Sequence, residues 1–117
     1  MRRPAGFSRL ERLRTTAQFG QVFAQPKRSS DRYFTVLSRR NETNTARLGL
    51  TVSRRVAKLA VDRNRLKRLA REVFRCQQNL PALDIVVLAN KGAPAAENTV
   101  LRDSLQRHFD GITKRTN

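Results

Sequence analysis

The feature that most constrains the fold of this chain is the segment 53–75, SRRVAKLAVDRNRLKRLAREVFR. It carries nine basic residues against two acids. From Asp62 onward its apolar side chains recur at i, i+3, i+4, i+7 and i+8, which predicts a helix with one buried stripe. That stripe consists of Leu66, Leu69, Ala70, Val73 and Phe74. Asp62 is the expected N-cap, because its carboxylate can accept the free amide hydrogens of the first turn.

The opposite face of this helix is basic. Steps of 100° per residue bring together Asn64, Lys67, Arg68, Arg71 and Arg75, with Arg65 at the margin. We call Asn64, Arg68, Arg71 and Arg75, which are spaced 4, 3 and 4 apart, the basic ridge. Only Glu72 offers the ridge an internal counter-ion, and an exposed pair with Arg68 would contribute little. Guanidinium groups grip phosphate in a bidentate way, so the ridge predicts a bound polyanion, with a merely solvated face as the alternative.

The charge of the whole chain favours the same interpretation. Its 117 residues include 25 Lys and Arg against 9 Asp and Glu, a net charge of +16. Such a surplus repels itself unless a polyanion is present, so nucleic acid is the expected partner and an anionic membrane surface the alternative. No apolar run has transmembrane length, no secretory signal is evident at the N-terminus, and Cys76 is the single cysteine. These features favour a cytoplasmic protein.

The sequence offers no set of catalytic side chains. The acids are scattered, and none are paired at a spacing suited to a metal ion. His108 is the only histidine, and we expect it at the surface or the boundary of the core. No Ser-His-Asp set, phosphate-binding glycine loop or zinc spacing is evident. We therefore expect no catalytic residue and no metal site in this chain.

The remaining patterns predict a small α+β domain. A short helix ends at Pro26 and carries Phe19 and Phe23 on one face, an arrangement typical of a core, with base stacking as the alternative. Strands are predicted over 33–38, 46–53 and 83–89, a polar connector over 26–32, and a last helix over 99–109.

These elements predict one domain, residues 1–117, in which helices pack on a mostly antiparallel sheet of about four strands. Loosely ordered tails are expected at 1–6 and 112–117. Within the strand 46–53, one face carries only the small residues Gly49, Thr51 and Ser53, which we call the trough. A face lined by small residues leaves room for a ligand.

Two motifs resemble a known family. LGLTVSRR, residues 48–55, and RNRLKRLAREVFR, residues 63–75, closely resemble the protein subunit of bacterial ribonuclease P. That family combines a GL-x-V-S strand, a basic pair and an RNR-x-KR-x-x-RE-x-F helix. ERLRTTAQFGQVFAQP, LPALDIVVLANKG and TVLRDSLQRHF resemble its first helix, last strand and terminal helix, so the likeness extends over about residues 7–110.

The resemblance implies the accessory subunit of a ribonucleoprotein endoribonuclease, a hydrolase that removes the 5′ leader of precursor tRNA in tRNA processing. In that family the RNA is the catalyst and holds Mg²⁺, and one protein binds one catalytic RNA. The resemblance also implies a left-handed β-α-β crossover, against the usual right-handed rule.

The resemblance assigns two groups of contact residues. Contacts to the catalytic RNA are expected from Arg54, Arg55, Lys58, Arg63, Asn64, Arg65, Lys67, Arg68 and Arg71. The cleft for the single-stranded leader is expected to include Phe19, Phe23, Leu37, Gly49, Thr51 and Ser53. Some relatives have a tyrosine where Leu37 stands, so this chain would lack one stacking surface there.

Three other classes of protein share part of this pattern. A general RNA-binding or ribosomal protein would have the same charge and basic helix, and differs in not stimulating leader cleavage. A DNA-recognition helix over 63–75 would ordinarily follow a partner helix and a tight turn, whereas here a strand and a loop precede it. A membrane-surface helix would need the apolar face of 66–74, which the core requires.

Overall fold

The computed structural model describes residues 20, 22–24, 26–41, 43–78 and 80–116, the side chains of 115 and 116 excepted. Its strands are β1 (Lys27–Ser30), β2 (Phe34–Arg40), β3 (Arg47–Thr51) and β4 (Leu83–Ala89). Its helices are α1 (Ala60–Arg75) and α2 (Asn98–Thr116). Gly20 and Val22–Ala24 are also helical, and we call them the N-terminal helical segment. The predicted α+β class is confirmed.

The four strands form one mixed sheet in the order β1-β2-β4-β3. β1 pairs with β2 and β2 with β4 in antiparallel fashion, whereas β3 and β4 are parallel. Because α1 connects these two parallel neighbours, β3, α1 and β4 form a β-α-β unit. The predicted sheet of about four mostly antiparallel strands is confirmed, and the left-handed sense of the crossover stays a prediction.

The main core lies between the sheet and the two long helices. All five residues of the predicted α1 stripe are buried. From α2, Leu101, Leu105 and Phe109 are fully buried, and the rings of Phe74 and Phe109 meet edge to face at 6.1 Å between centroids. α1 and α2 therefore cover one face of the sheet together.

The other face of the sheet carries a second, smaller core. Val22 of the N-terminal helical segment packs with Leu37 and Val86, and all three are buried. Strand register places Gly49 beside Val86, and Thr51 beside Leu88. The trough therefore lies on this second face, next to the N-terminal helical segment. β4 is buried on both faces, as its apolar run predicts.

The prediction of a polar connector over 26–32 is wrong, because Lys27–Ser30 is strand β1. It pairs with β2 from Lys27 opposite Ser38 to Ser30 opposite Thr35. β1 is an edge strand whose four residues are largely exposed, so it has no alternation of apolar and polar residues to reveal it. Its pairing with β2 defines it instead.

Helix α1 starts two residues before the predicted N-cap Asp62. Its N-cap is Leu59, which makes no side-chain capping bond, and Asp62 lies in the first helical turn. There its negative charge is favourable to the positive end of the helix dipole. Nη1 of Arg63 donates to the carbonyls of Ala57 and Lys58, so the polypeptide that enters the helix is held by an arginine from within it.

Helix α2 is longer than predicted. It continues to Thr116, and Ile112 is 1% exposed in the main core. The tail that was expected to be loose from residue 112 thus continues α2 as far as Thr116. The other predicted tail, residues 1–6, lies outside the described residues. No described helix is both long and apolar enough to cross a membrane.

Candidate nucleic-acid interface

The basic ridge lies on the exposed face of α1. All four of its residues, Asn64, Arg68, Arg71 and Arg75, are exposed, while Lys67 beside them is partly exposed. Their positions follow from the buried stripe, which fixes the rotation of the helix against the sheet. The predicted division of α1 into a core face and a basic face is therefore confirmed.

Glu72 does not pair with Arg68 as the sequence suggested. Its Oε2 atom lies 3.3 Å from Nη2 of Arg102 on α2. A second polar contact joins the segment just after α1 to α2, because the side-chain amides of Gln77 and Gln106 are hydrogen-bonded at 2.9 and 3.1 Å. The acid that could have paired with Arg68 instead ties α1 to α2.

A basic turn precedes α1. Arg54, Arg55 and Lys58 are all exposed there. The turn is closed by Ser53, whose Oγ accepts a hydrogen bond from the amide of Val56 at 3.2 Å. These cations lie near the N-terminus of α1, where the helix dipole adds positive potential. The turn and the ridge together form a surface that attracts anions.

Arg63 and Arg65 differ from the other predicted RNA contacts because their guanidinium groups turn toward the protein. Arg63 uses Nη1 for the carbonyls of Ala57 and Lys58. Arg65 uses all three of its nitrogens for acceptors at residues 94, 96 and 98. Both side chains are only partly exposed. The RNR triplet therefore presents Asn64 outward between two arginines that bind the protein's own backbone.

The predicted leader cleft is brought together only in part. Thr51 and Ser53 are exposed and Gly49 is buried, all near one edge of the second sheet face. Phe23 is 47% exposed, an unusual state for a large aromatic side chain. Leu37 lies on the same face but is only 7% exposed beneath Val22. Leu37 therefore supports the N-terminal helical segment and offers little open surface. Phe19 lies outside the described residues.

A partly buried polar cluster that the sequence did not reveal joins β1 to α2. His108 is 5% exposed, so of the two positions expected for it, the surface and the boundary of the core, the surface is excluded. Its Nδ1 is hydrogen-bonded to Oγ of Ser29 at 2.6 Å, and its Nε2 lies 3.2 Å from Oδ2 of Asp31. Ser29 and His108 are 79 positions apart in the chain, so no short motif connects them. The fold thus assembles a Ser, a His and an Asp that sequence spacing did not associate.

The carboxylate of Asp31 is the centre of this cluster. Oδ1 accepts hydrogen bonds from the amides of Tyr33 and Phe34 at 2.8 and 2.9 Å, and Oδ2 accepts one from Oγ of Ser104 at 2.5 Å. Burial opposes the charged form, but these hydrogen bonds and the charge of His108 outweigh it and lower the pKa of Asp31. With its acceptor sites occupied, Asp31 fastens the turn between β1 and β2 to α2.

The described acids and His108 do not form a metal centre. Within residues 20–116, apart from the positions left undescribed, no group of three or more His, Cys, Asp or Glu side chains is arranged to hold an ion. Asp84, which is buried, is bound by Arg47. The charge that this surface offers to a ligand is therefore that of its arginines and lysines.

Comparison with known proteins finds similarity along most of the chain. A protein-family model described as Ribonuclease P matches residues 7–113. The ribonuclease P protein component of Methylococcus capsulatus is 44% identical over 111 residues, which cover 94% of this chain and 87% of that protein. The corresponding component of Proteus mirabilis is 47% identical over 100 residues, covering 85% of this chain and 84% of that protein.

Solved structures match the fold as well. The RNase P protein of Staphylococcus aureus superimposes with a TM-score of 0.81 at 31% identity, covering 92% of this chain and 98% of that chain. The RNase P protein of Thermotoga maritima gives a TM-score of 0.77 at 33% identity, covering 87% of this chain and 97% of that chain. Sequence and fold thus match the same group of proteins.

Proposed function

This chain belongs to the ribonuclease P protein family, and from that premise we propose that it is the protein component of a ribonuclease P ribonucleoprotein. In this role it binds the catalytic RNA and the 5′ leader of precursor tRNA, and so assists the endonucleolytic removal of the leader. The RNA carries the cleavage and holds the Mg²⁺ that the chemistry requires. One protein acts with one catalytic RNA, in the cytoplasm.

The observation that carries this proposal is the basic ridge. Arg68, Arg71 and Arg75 are exposed along one side of α1, and the nearest acid of the helix, Glu72, is directed to Arg102. A guanidinium group can bind two phosphate oxygens at once, and a row of such groups suits the backbone of a folded RNA. The net charge of +16 gives the same partner a strong long-range attraction.

The contact to the leader is proposed for the trough and the N-terminal helical segment beside it. Phe23 is exposed there, next to a sheet face on which Thr51 and Ser53 are also exposed. A single-stranded RNA can stack its bases on an aromatic ring whatever its sequence, since every base has a π-face. This arrangement suits a subunit that must accept many different leaders.

The test of this function is reconstitution. A ribonuclease P RNA is assayed for cleavage of precursor tRNA at a magnesium concentration where the RNA alone is nearly inactive. We expect the wild-type protein to restore cleavage. The double variant Arg68→Ala, Arg71→Ala should restore much less, because it loses two cations from the ridge. Correct folding of each variant is checked by circular dichroism.

A matched control removes the same charge elsewhere. Lys27 on β1 and Lys114 on α2 are exposed and belong neither to α1 nor to the second sheet face. The variant Lys27→Ala, Lys114→Ala should therefore stimulate cleavage like the wild type. If the wild-type protein binds RNA but leaves cleavage unchanged, a general RNA-binding role replaces the one proposed. If both double variants fail equally, net charge and not the ridge is responsible.

A further inference from the structure

The guanidinium group of Arg65 donates its hydrogen bonds to acceptors within the protein. Its Nε donates to Oδ1 of Asn98 at 2.8 Å, and its Nη1 donates to the carbonyl of Pro94 at 3.2 Å. Its Nη2 donates to the carbonyl of Ala96. Three of the five N–H groups of the guanidinium are therefore held by the protein, and they include the Nε–H that a two-pronged grip on phosphate along the Nε–Nη2 edge would need.

Two of the three acceptors, the carbonyls of Pro94 and Ala96, belong to the connection between β4 and α2, and the third, Asn98, is the first residue of α2. We call residues 90–97 the β4–α2 loop. Its first half is fixed to the turn between β1 and β2, because the amides of Asn90 and Gly92 donate to the carbonyls of Tyr33 and Arg32. A Cβ atom on Gly92 would lie only 2.6 Å from the Arg32 carbonyl oxygen, so the two segments pack backbone to backbone. Arg65 holds the second half.

Arg65 therefore links α1 to a rigid part of the molecule. The β4–α2 loop is anchored to the sheet at one end, and its residue Ala93 is fully buried in the main core. A bond from this loop to α1, three residues before Arg68, restrains the rotation of the helix about its axis. That rotation sets the direction in which the basic ridge points.

Neighbouring arginines provide an internal comparison. Arg63 commits only Nη1 to carbonyl groups, so its Nε and Nη2 keep one intact edge. Arg68 is exposed on the ridge. Three arginines within six residues thus differ in how much of the guanidinium is held by the protein, although the family resemblance implied an RNA contact for all of them.

We propose that Arg65 is a positioning residue for RNA binding: it fastens the β4–α2 loop to α1 and thereby aims the basic ridge, without itself holding a phosphate. This inference rests on the proposed function, because the ridge is taken to bind the catalytic RNA. Asn98, the side-chain partner of Arg65, shares the role. Neither residue is assigned to the contact surface.

The salt dependence of RNA binding separates positioning from phosphate contact. Each phosphate contact contributes about one unit to the slope of log affinity against log salt. Arg68→Ala should lower the slope by about one unit. Arg65→Ala should weaken binding about three- to tenfold, as expected when a surface loses its preorganisation, with the slope unchanged.

Lysine replacements sharpen this comparison. Arg65→Lys keeps the charge but cannot hold three acceptors at once, so we expect it to bind RNA as weakly as Arg65→Ala. Arg68→Lys should keep the wild-type slope, because a lysine still neutralises a phosphate. If Arg65→Ala lowers the slope by about one unit and Arg65→Lys restores it, Arg65 is a phosphate contact and the proposal is wrong.

A substitution at Asn98 tests the link between Arg65 and the β4–α2 loop, which we call the tether, without a change of charge. Asn98→Ala should weaken RNA binding in the same direction as Arg65→Ala, again with an unchanged slope. The double variant should be no weaker than Arg65→Ala alone, because both changes break one connection. Full additivity of the two effects, or wild-type affinity in Asn98→Ala, would contradict the proposal.

Hydrogen exchange on the free protein tests the tether independently of RNA. In Arg65→Ala, the amides of Ala96 and Leu101 should exchange faster, while those in the middle of β4 keep the wild-type rate. Unchanged exchange at Ala96 and Leu101 would overturn the tether. If the wild-type protein binds no catalytic RNA at all, the proposed function fails, and the exchange result still decides whether Arg65 restrains the loop.

Discussion

The buried carboxylate of Asp84 depends on a single cation. Asp84 is 3% exposed on the central strand β4, and Nε and Nη2 of Arg47 each lie 2.7 Å from one of its oxygens. These hydrogen bonds raise the pKa of Arg47. Nδ2 of Asn41 adds a third bond at 2.8 Å. Because β3 and β4 are parallel neighbours, the pair fixes their register from its first residue.

Removing this cation should be costly. Arg47→Ala leaves a buried carboxylate with only an amide partner, and we expect a loss of roughly 3–5 kcal/mol in the free energy of unfolding. Urea denaturation at neutral pH measures it. The double variant Arg47→Met, Asp84→Leu should recover most of the loss, because no buried charge remains. A loss below about 1 kcal/mol in Arg47→Ala would mean that the pair is solvated in solution.

Phe23 lends itself to a test of stacking against packing. Its ring is 47% exposed, so Phe23→Ala should cost little stability. If the ring stacks on a leader base, affinity for precursor tRNA should fall by about 1–3 kcal/mol, and affinity for mature tRNA should not change. Binding to both RNAs and thermal unfolding are measured on the same variant. A large loss of stability with equal weakening of both RNAs would assign Phe23 to the core.

The sequence predicted which face of a helix a side chain lies on better than it predicted which residues that side chain contacts. The exposed state of Arg68 follows from helical spacing alone, because the buried stripe lies on the opposite side. The hydrogen bonds of Arg65 do not follow from helical spacing, since its acceptors are about 30 residues further along the chain. The same holds for His108, whose partner Ser29 is 79 residues away. Such contacts depend on the tertiary fold.

Among the secondary-structure elements, α1 depends on its apolar stripe. Leu69→Ala should lower the free energy of unfolding by roughly 2–5 kcal/mol, because Leu69 is 1% exposed and its truncation leaves a cavity. Val61, on the same helix, is 68% exposed, and Val61→Ala should change stability by about 0.5 kcal/mol or less. Urea denaturation of both variants gives the comparison. Equal effects would mean that the helix is rotated from its described position.

The attachment of β1 to α2 should depend on pH through Asp31. Its pKa is lowered on folding, so it contributes stability above its ordinary pKa and loses that contribution as the pH falls through the lowered value. At pH 7 Asp31→Asn should be less stable than the wild type, and the difference should shrink as the pH falls from 5 to 2. Urea denaturation at several pH values follows it. His108 and Arg107, whose Nη2 lies 3.9 Å from Oδ2 of Asp31, also face this carboxylate. If the stability difference between wild type and Asp31→Asn grew toward low pH, these two groups and not Asp31 would be the source of the pH dependence.

Elements were predictable where burial imposes a pattern. β4 and the stripe of α1 were predicted residue for residue, because each has apolar side chains at fixed spacing. β1 was not, since an exposed edge strand of Lys, Arg and Ser lacks such a pattern. The N-cap of α1 was predicted three residues too late, at Asp62, because Leu59 makes no side-chain cap and gives no capping signal.

At the scale of the whole molecule, the net charge of +16 should destabilise the free protein. Raising NaCl from about 50 to 500 mM screens this repulsion, and we expect the melting temperature to rise by about 3–6 °C, the shift that about 1 kcal/mol produces at this size. The variant Arg68→Glu, Arg71→Glu, whose net charge is lower by four, should show a smaller rise. An equal rise in both would point to a salt effect that is independent of charge.

The position of β4 between β2 and β3 governs the order in which the chain can fold during synthesis. β2 and β3 pair with β4 and are not neighbours of each other, although both precede it in the chain. Until the ribosome has released residue 89, the strand that pairs with both β2 and β3 is missing from the sheet. At about 5–20 residues per second, the segment between β3 and β4 delays that moment by a few seconds. Once α1 has been synthesised, its arginines are carried beside ribosomal RNA by a chain whose sheet is still incomplete, so nonspecific capture by RNA competes with folding until β4 is available.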